Sequence, residues 1–299
     1  MMHPAYLAKG ELEEIAGELM AQLESCNLCP HRCGVNRRKG ERGFCRAGWE
    51  VEIGGYGPHF GEEEPLVGIH GSGTIFFSHC NMACVYCQNY EISQGYQAEK
   101  VTLEELARIM LWLQQRGCHN INLVTPTHYV PQIVAALALA ARQGLRIPLV
   151  YNCGGYELVE TLQKLEGIVD IYMPDFKYAD PDIALRLSKA PHYPRYAKEA
   201  LKEMQRQVGD LVLDKRGIAV KGLIIRHLVL PGGLAGTEEV MEFIAREISP
   251  TAYVNVMAQY YPAYEAYRYP PLNRRITREE YMEALEAACR ASPRFRFAR

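Results

Sequence analysis

The sequence has no long apolar run. The longest, Ile133 to Ala141, falls far short of the ~20 residues a membrane-spanning helix needs. No charge of either sign dominates, since 33 Lys and Arg face 35 Asp and Glu for a net charge of −2. A global pull toward nucleic acid or an anionic membrane is therefore not expected. No basic stretch followed by an apolar segment opens the chain, so a signal peptide is not expected and a cytoplasmic location is. Internal repeats and low-complexity tracts are also missing, which argues against solenoid and disordered architectures.

What is present is ordinary in bulk and unusual in detail. A length of 299 residues, 48% hydrophobic and 23% charged, allows one α/β barrel-like domain or two small ones with a sizeable core. Ten cysteines need a reason. In a reducing compartment clustered cysteines point to metal or redox chemistry before disulfides. One group is Cys26, Cys29, Cys33 and Cys45, and a second is Cys80, Cys84 and Cys87. Cys118, Cys153 and Cys289 stand alone and read as small buried hydrophobes, although Cys153 adjoins a candidate active-site turn.

Periodicity places these groups. Glu11 to Leu23 has helical spacing. Cys26 to about Pro65 is rich in Gly, Arg and Cys with little periodicity, and reads as a segment that a metal must organise. From Gly73 onward strands and helices alternate. Strands are expected at Thr74–Ser78, Asn120–Val124, Ile147–Asn152, Ile168–Met173, Gly222–Leu230 and Ala252–Met257. Helices are expected from a capping box at Thr102 to Arg116, at Val130–Arg142, Glu157–Leu165, Pro181–Leu187 and Arg195–Val208, from Thr237, and from a second capping box at Thr277. Strand–helix alternation implies a parallel sheet with right-handed crossovers. Eight such units close a barrel, so six predict an open partial (β/α)6 barrel, an α/β fold. The expected division is a cysteine-rich metal-binding module with its helix at 1–65 and the barrel at 66–299.

Function in barrels gathers after the C-terminal ends of strands. There the first strand runs into His79-Cys80-Asn81-Met82-Ala83-Cys84-Val85-Tyr86-Cys87, a C-x3-C-x2-C spacing. Three thiolates are one short of a closed zinc site or a fully protein-held iron–sulfur cube, which leaves a coordination position for chemistry. A zinc knuckle is the plainer alternative.

With Tyr86 just before the third cysteine, the triplet resembles the radical S-adenosylmethionine (SAM) superfamily, whose usual core is a partial barrel. The resemblance implies a [4Fe–4S] cluster on Cys80, Cys84 and Cys87, with S-adenosylmethionine on the open iron. Such a cluster is expected to be oxygen-labile and the enzyme anaerobic. Met173-Pro174-Asp175-Phe176-Lys177 and the Arg226 to Gly232 run, Arg-x-x-x-x-Pro-Gly, make the chain similar to pyruvate formate-lyase activating enzyme and other glycyl-radical-enzyme activases from Thr74 to Tyr260. Residue by residue, that similarity implies that Tyr86, Asn152, Asp175, Lys177 and Arg226 bind the cofactor. Asn152 stands where the family has an aspartate.

Two motifs depart from the family. Its Gly-Gly-Glu-like turn after the second strand reads Thr125-Pro126-Thr127-His128 here, so hydroxyls such as that of Thr125, backbone carbonyls or His128 must serve the methionine amine. Its Pro-x-His near the sixth strand reads Ala258-Gln259-Tyr260. These differences suggest a separate branch with a cysteine-rich N-terminus. Taken singly, Asp175 and Lys177 could be a surface ion pair worth under about 1 kcal/mol, and Arg226 a strand-end charge. Cys26, Cys29, Cys33 and Cys45 could hold structural zinc or an auxiliary Fe–S cluster, with His31 an alternative ligand. Gln259 to Tyr269 is an aromatic loop, either a packed connection, a protein-docking surface or a base-stacking surface.

The implied reaction is reductive cleavage of S-adenosylmethionine to a 5′-deoxyadenosyl radical that removes hydrogen from a glycine of a partner glycyl radical enzyme. The implied electron donor is a flavodoxin or ferredoxin. The alternatives are radical modification of a small molecule or RNA, and a non-catalytic metal-binding protein.

Overall fold

The computed structural model describes residues 3–94 and 98–298. Helix α1 (Leu12–Ala21) buries Leu12, Ala16 and Leu19 on one face. A loop with all four N-terminal cysteines follows, then β1 (Val51–His59), α2 (Glu64–Val67), β2 (Ser72–Phe77), α3 (Tyr90–Ser93) and β3 (Glu99–Val101). The alternating part comprises α4 (Leu103–Gln115), β4 (Ile121–Val124), α5 (Val130–Arg142), β5 (Leu149–Cys153), α6 (Val159–Lys164) and β6 (Ile171–Pro174). It continues through α7 (Pro181–Ser188), α8 (Tyr193–Val208), β7 (Val212–Leu213), β8 (Ala219–Leu228), α9 (Thr237–Phe243) and β9 (Tyr253–Met257). The last elements are α10 (Arg278–Ala291) and β10 (Arg296–Phe297). Both capping boxes form, since Thr102 accepts from the Glu105 amide and Thr277 from the Glu280 amide, each glutamate bonding back.

The strands form one sheet in the order β10-β9-β8-β6-β5-β4-β2-β1-β3, with β7 paired to β8. The six expected strands are β2, β4, β5, β6, β8 and β9, and each neighbouring pair among them is parallel. This is the open, partial α/β barrel.

Strand alternation sorts the core into two layers. Tyr151, Tyr172, Leu223, Ile225 and Val254 pack outward with the helices. Their neighbours Val150, Ile171, Met173, Ile224 and Tyr253 form a second, inner cluster. Leu66 of α2, fully buried, enters that inner cluster, and its carbonyl accepts from Asn120 Nδ2 at 2.9 Å. The short helix plugs the barrel interior.

Sequence reading missed β1. Gly54, Gly55, Gly57 and Pro58 hide its alternation, and its register against β2 shifts between Ile53 and Gly55. The backbone nevertheless pairs antiparallel from Ile53 opposite Phe77 to His59 opposite Ser72, and β3 pairs on its other side. The expected boundary at 65 therefore falls between paired strands. The cysteine-rich stretch is not left without apolar support either. Cys26, Leu28, Cys45 and Ala47 belong to the main core.

Candidate active site

The inward ladder turns polar toward the C-terminal ends of the strands. Two residues beyond Val150 comes Asn152, beyond Met173 Asp175, beyond Ile224 Arg226 and beyond Tyr253 Asn255. The period-2 rule that builds the inner core thus aims Asn152, Asp175 and Arg226 into one space, while Asn255 Nδ2 donates to Glu63 Oε1 at 3.0 Å. Asn152, Asp175, Lys177, Arg226, Thr125 and Tyr86 line a cavity of about 260 Å³ together with Cys80, Cys84 and Cys87. A larger groove of about 600 Å³ between β1, β3 and α4 carries Tyr56, Arg108 and Trp112 but no thiol. The chemistry belongs to the smaller cavity.

The cysteine loop is tied from several sides. His79 enters it at φ 72°, and its Nε2 meets Glu52 Oε2 of β1 at 2.6 Å in a buried pair. Amides of Ala83 and Val85 donate to the carbonyls of Ser188 and Leu187 at the end of α7. Asn81 Nδ2 donates to the Tyr156 carbonyl at 2.7 Å. Each thiol has a polar neighbour. The Met82 amide donates to Cys80 Sγ at 3.3 Å, Ser188 Oγ to Cys84 Sγ at 3.0 Å, and Ser93 Oγ lies 3.3 Å from Cys87 Sγ. Burial pushes the Cys80 thiol up, and the Cys84 thiol to about 11 against the opposing pull of Lys177. Buried thiols of this kind become thiolates when a metal replaces the proton.

Opposite them lies a charge network. Asp175 Oδ1 accepts from Arg226 Nε at 2.8 Å and Asp175 Oδ2 from Lys177 Nζ at 2.5 Å. Arg226 also donates to Asn152 Oδ1 at 2.7 Å and meets Glu62 Oε2 at 3.5 Å. Burial alone would raise Asp175, but Arg226 and Lys177 outweigh it and hold the carboxyl below its ordinary range. Asp175, Lys177 and Arg226 are only 14–17% exposed at their side chains, so they form an interior network, not the surface pair considered from sequence.

The turns are strained where they face the cavity. Thr125, a β-branched residue, sits at φ 59° and its amide donates to the Asn152 carbonyl at 2.8 Å. Such conformations persist only when surroundings enforce them and gather at functional sites. Gly155 has φ 76°, and a Cβ there would lie 2.3 Å from the Asp175 carbonyl oxygen.

Several expectations need correction. His128 does not line the cavity. It is fully buried, with Nε2 2.8 Å from the Ser78 carbonyl oxygen, and burial lowers it to about 3. Cys289 is exposed, not buried, whereas Cys118 and Cys153 are buried. The aromatic loop, by contrast, follows the packed-connection reading at Tyr260 and Tyr264, while Tyr261 and Tyr267 stay exposed. Tyr260 is buried with its hydroxyl donated to the Leu272 carbonyl, and Tyr264 stacks on Tyr90.

Sequence reading also missed three carboxylates. Glu62 backs Arg226. Glu52 orients His79. Glu157 is buried beneath the site, where it accepts from Thr127 Oγ1 at 2.6 Å and Tyr151 Oη at 3.1 Å. Glu52 and Glu62 lay in a stretch without periodicity. The signal for Glu157 was its place just after the Asn152–Tyr156 turn.

The N-terminal cysteine segment bonds to the turn before α5 and to α6. Arg37 Nη1 donates to the His128 carbonyl at 2.6 Å and Thr161 Oγ1 to the Leu28 carbonyl at 2.9 Å. Cys26, Cys29 and Cys45 are buried and Cys33 is exposed. Their charges act on one another, and burial foremost raises Cys29 and Cys45. Among the described residues no three Cys, His, Asp or Glu side chains group tightly enough for a single ion. Thiolates at the corners of a four-iron cube stand further apart than ligands of one ion.

Residues 74–214 match the family model of the radical SAM superfamily. Over 279 residues the chain is 37% identical to Uncharacterized protein MJ0674 of Methanocaldococcus jannaschii, covering 89% of this chain and 75% of that one. The chain belongs to the radical SAM superfamily. A second protein of the same organism, Uncharacterized protein MJ0808, is 28% identical over 191 residues, 56% of this chain and 54% of its own. Among solved structures, HydG, a maturase of the [FeFe]-hydrogenase, aligns with TM-score 0.49 and 15% identity over 73% of this chain and 49% of HydG. The SuiB protein of Streptococcus suis bound to S-adenosylmethionine aligns with TM-score 0.49 and 13% identity over 73% of this chain and 47% of SuiB. This chain spans about half of each solved chain.

As a radical SAM enzyme, the protein uses a [4Fe–4S] cluster and S-adenosylmethionine. The donor set fits both. Three thiols face one cavity, each beside a hydrogen-bonding neighbour of the kind that tunes such clusters. Cations, a carboxylate and an amide stand across from them for a zwitterionic, sulfonium-bearing ligand. Among the described residues no helix is long and apolar enough to cross a membrane.

Proposed function

We propose that Cys80, Cys84 and Cys87 hold the cluster and that Asn152, Asp175, Lys177, Arg226, Thr125 and Tyr86 receive S-adenosylmethionine. The observation that carries this is their convergence on one cavity from five separate chain segments. When bound, the cluster supplies one electron and S-adenosylmethionine the 5′-deoxyadenosyl radical. The chain's residues do the rest. Lys177 and Arg226 present positive charge to a carboxylate. Asn152 offers an amide, and Asp175 fixes both cations. Tyr86, closed by its 2.5 Å hydroxyl contact with Tyr178, walls one side against water. Excluding water and orienting the reactants is the protein's share in cofactor chemistry.

We further propose that the hydrogen comes from a glycine Cα–H of a partner polypeptide, with flavodoxin or ferredoxin as reductant. The Asp175–Lys177 and Arg226–Gly232 motifs, alike in sequence and placement to those of the activases, support this reading. The test uses reconstituted enzyme in an anaerobic extract of cells carrying its gene, grown on glycine deuterated at Cα. Deuterium should appear in 5′-deoxyadenosine. Deuterium-free 5′-deoxyadenosine under vigorous cleavage would reject the glycine substrate and leave the cleavage reading intact.

A further inference from the structure

We infer that the N-terminal cysteines hold a second iron–sulfur cluster through which electrons enter, and that the basic surface around Cys33 docks an acidic one-electron carrier protein. The inference rests on the assignment of the catalytic cluster to Cys80, Cys84 and Cys87.

Charge is the first argument. The whole chain carries −2, yet Arg32, Arg37, Arg38, Lys39, Arg42 and Arg46 crowd into one short stretch whose only acid in sequence is Glu41. Glu160, Glu24 and Glu52 pair with Arg32, Arg38 and Arg42, and Lys39 and Arg46 remain without a carboxylate partner among the described residues. All but Arg37 are exposed. The excess positive charge that Lys39 and Arg46 leave on a nearly neutral molecule steers a partner of the other sign. Exposure is the second. Cys26, Cys29 and Cys45 are buried, whereas Cys33 reaches the surface within this basic rim, beside exposed Gly34 and Phe44.

Connection is the third. The Phe44 amide donates to Cys33 Sγ at 3.4 Å. The Phe44 ring stacks on His31 with centroids 3.8 Å apart and planes 20° apart. His31 Nε2 meets the Asn81 carbonyl oxygen at 2.9 Å, and Asn81 follows Cys80. Contacts therefore run without a gap from the exposed thiol to the catalytic loop. The fourth argument separates iron from zinc. A structural ion is needed where a segment cannot bury itself, but this one shares the main core and bonds to the turn before α5 and to α6.

The electron count closes. One electron leaves the reduced carrier, passes through the N-terminal cluster to the catalytic cluster, and ends in the sulfonium carbon–sulfur bond as that bond breaks. No proton is needed.

Two measurements test this. The full-length Cys80→Ala/Cys84→Ala/Cys87→Ala chain, prepared without oxygen, should retain iron and sulfide with the spectrum of a cluster. Zinc there, or no metal, would overturn the inference. With the triplet intact, Lys39→Glu/Arg46→Glu should lower 5′-deoxyadenosine formation driven by reduced flavodoxin about tenfold and flatten its salt dependence. The rate driven by dithionite should not change. Equal flavodoxin-driven rates in variant and wild type would overturn the docking surface. Failure of dithionite-driven cleavage in the wild type would instead strike the catalytic assignment, and metal in the triple variant would still decide the N-terminal cluster.

Discussion

Arg226 shows how one side chain organises the cavity. Its guanidinium spans Asp175, Asn152 and Glu62 at 2.7–3.5 Å, a spread that a planar fork can serve and a lysine ammonium cannot. Arg226→Lys should weaken S-adenosylmethionine binding about tenfold or more while iron content stays at wild type, checked by equilibrium binding on the reconstituted protein. Unchanged affinity would remove Arg226 from the cofactor's contacts. Glu157 makes a prediction of a different kind. Burial holds its carboxyl up at about 7, against 4.5 ordinarily. Between those values the folded chain keeps a proton that the unfolded chain has released. Stability therefore falls as pH rises through that window, by about 3 kcal/mol in all, and levels off above it. Glu157→Gln, which keeps the shape of the protonated acid with one acceptor oxygen and one donor in its place, should flatten this slope in urea titrations at several pH values. An identical slope in the variant would contradict the buried-acid assignment.

Elements explain what was legible in the sequence and what was not. The capping boxes at Thr102 and Thr277 rest on local bonds, so three-residue spacing reveals them. β2, β4, β5, β6, β8 and β9 are apolar runs bounded by turn residues, and they too could be read. β1 could not, because glycines and a proline interrupt it and its partner lies beyond α2. Nor could α2, a helix of one turn (Glu64–Val67) whose worth comes only from where Leu66 lands. Leu66→Ala should open a void in the inner cluster and cost about 2–5 kcal/mol, measured by denaturant unfolding. A loss near zero would mean that α2 does not plug the barrel. Gly155→Ala meets two penalties, a positive φ and a carbonyl oxygen at 2.3 Å. It should destabilise the chain by more than the roughly 1 kcal/mol of an ordinary backbone misfit. A variant as stable as wild type would show that the turn can shift.

At the scale of the molecule, one alternation rule serves both stability and site. The barrel interior is apolar at Val150, Ile171, Met173, Ile224 and Tyr253, and polar one step higher at Asn152, Asp175, Arg226 and Asn255. The sequence exposed the upper layer because strand ends and short motifs mark it. It hid the supports behind that layer: Glu52 and Glu62 reach the site from a distant part of the chain with no spacing of their own, and Glu157, though next to the Asn152–Tyr156 turn, reads there only as the start of a helix. It also misplaced His128, which the strained turn at Thr125 carries into the core. The central claim is that one cavity brings three thiols and a charge network together to cleave S-adenosylmethionine. The direct measurement is 5′-deoxyadenosine formed with dithionite, without oxygen, by wild type and by Cys80→Ala/Cys84→Ala/Cys87→Ala. Wild type should form it and the triple variant none. Product from the triple variant, or none from wild type with its full complement of iron, would contradict the account.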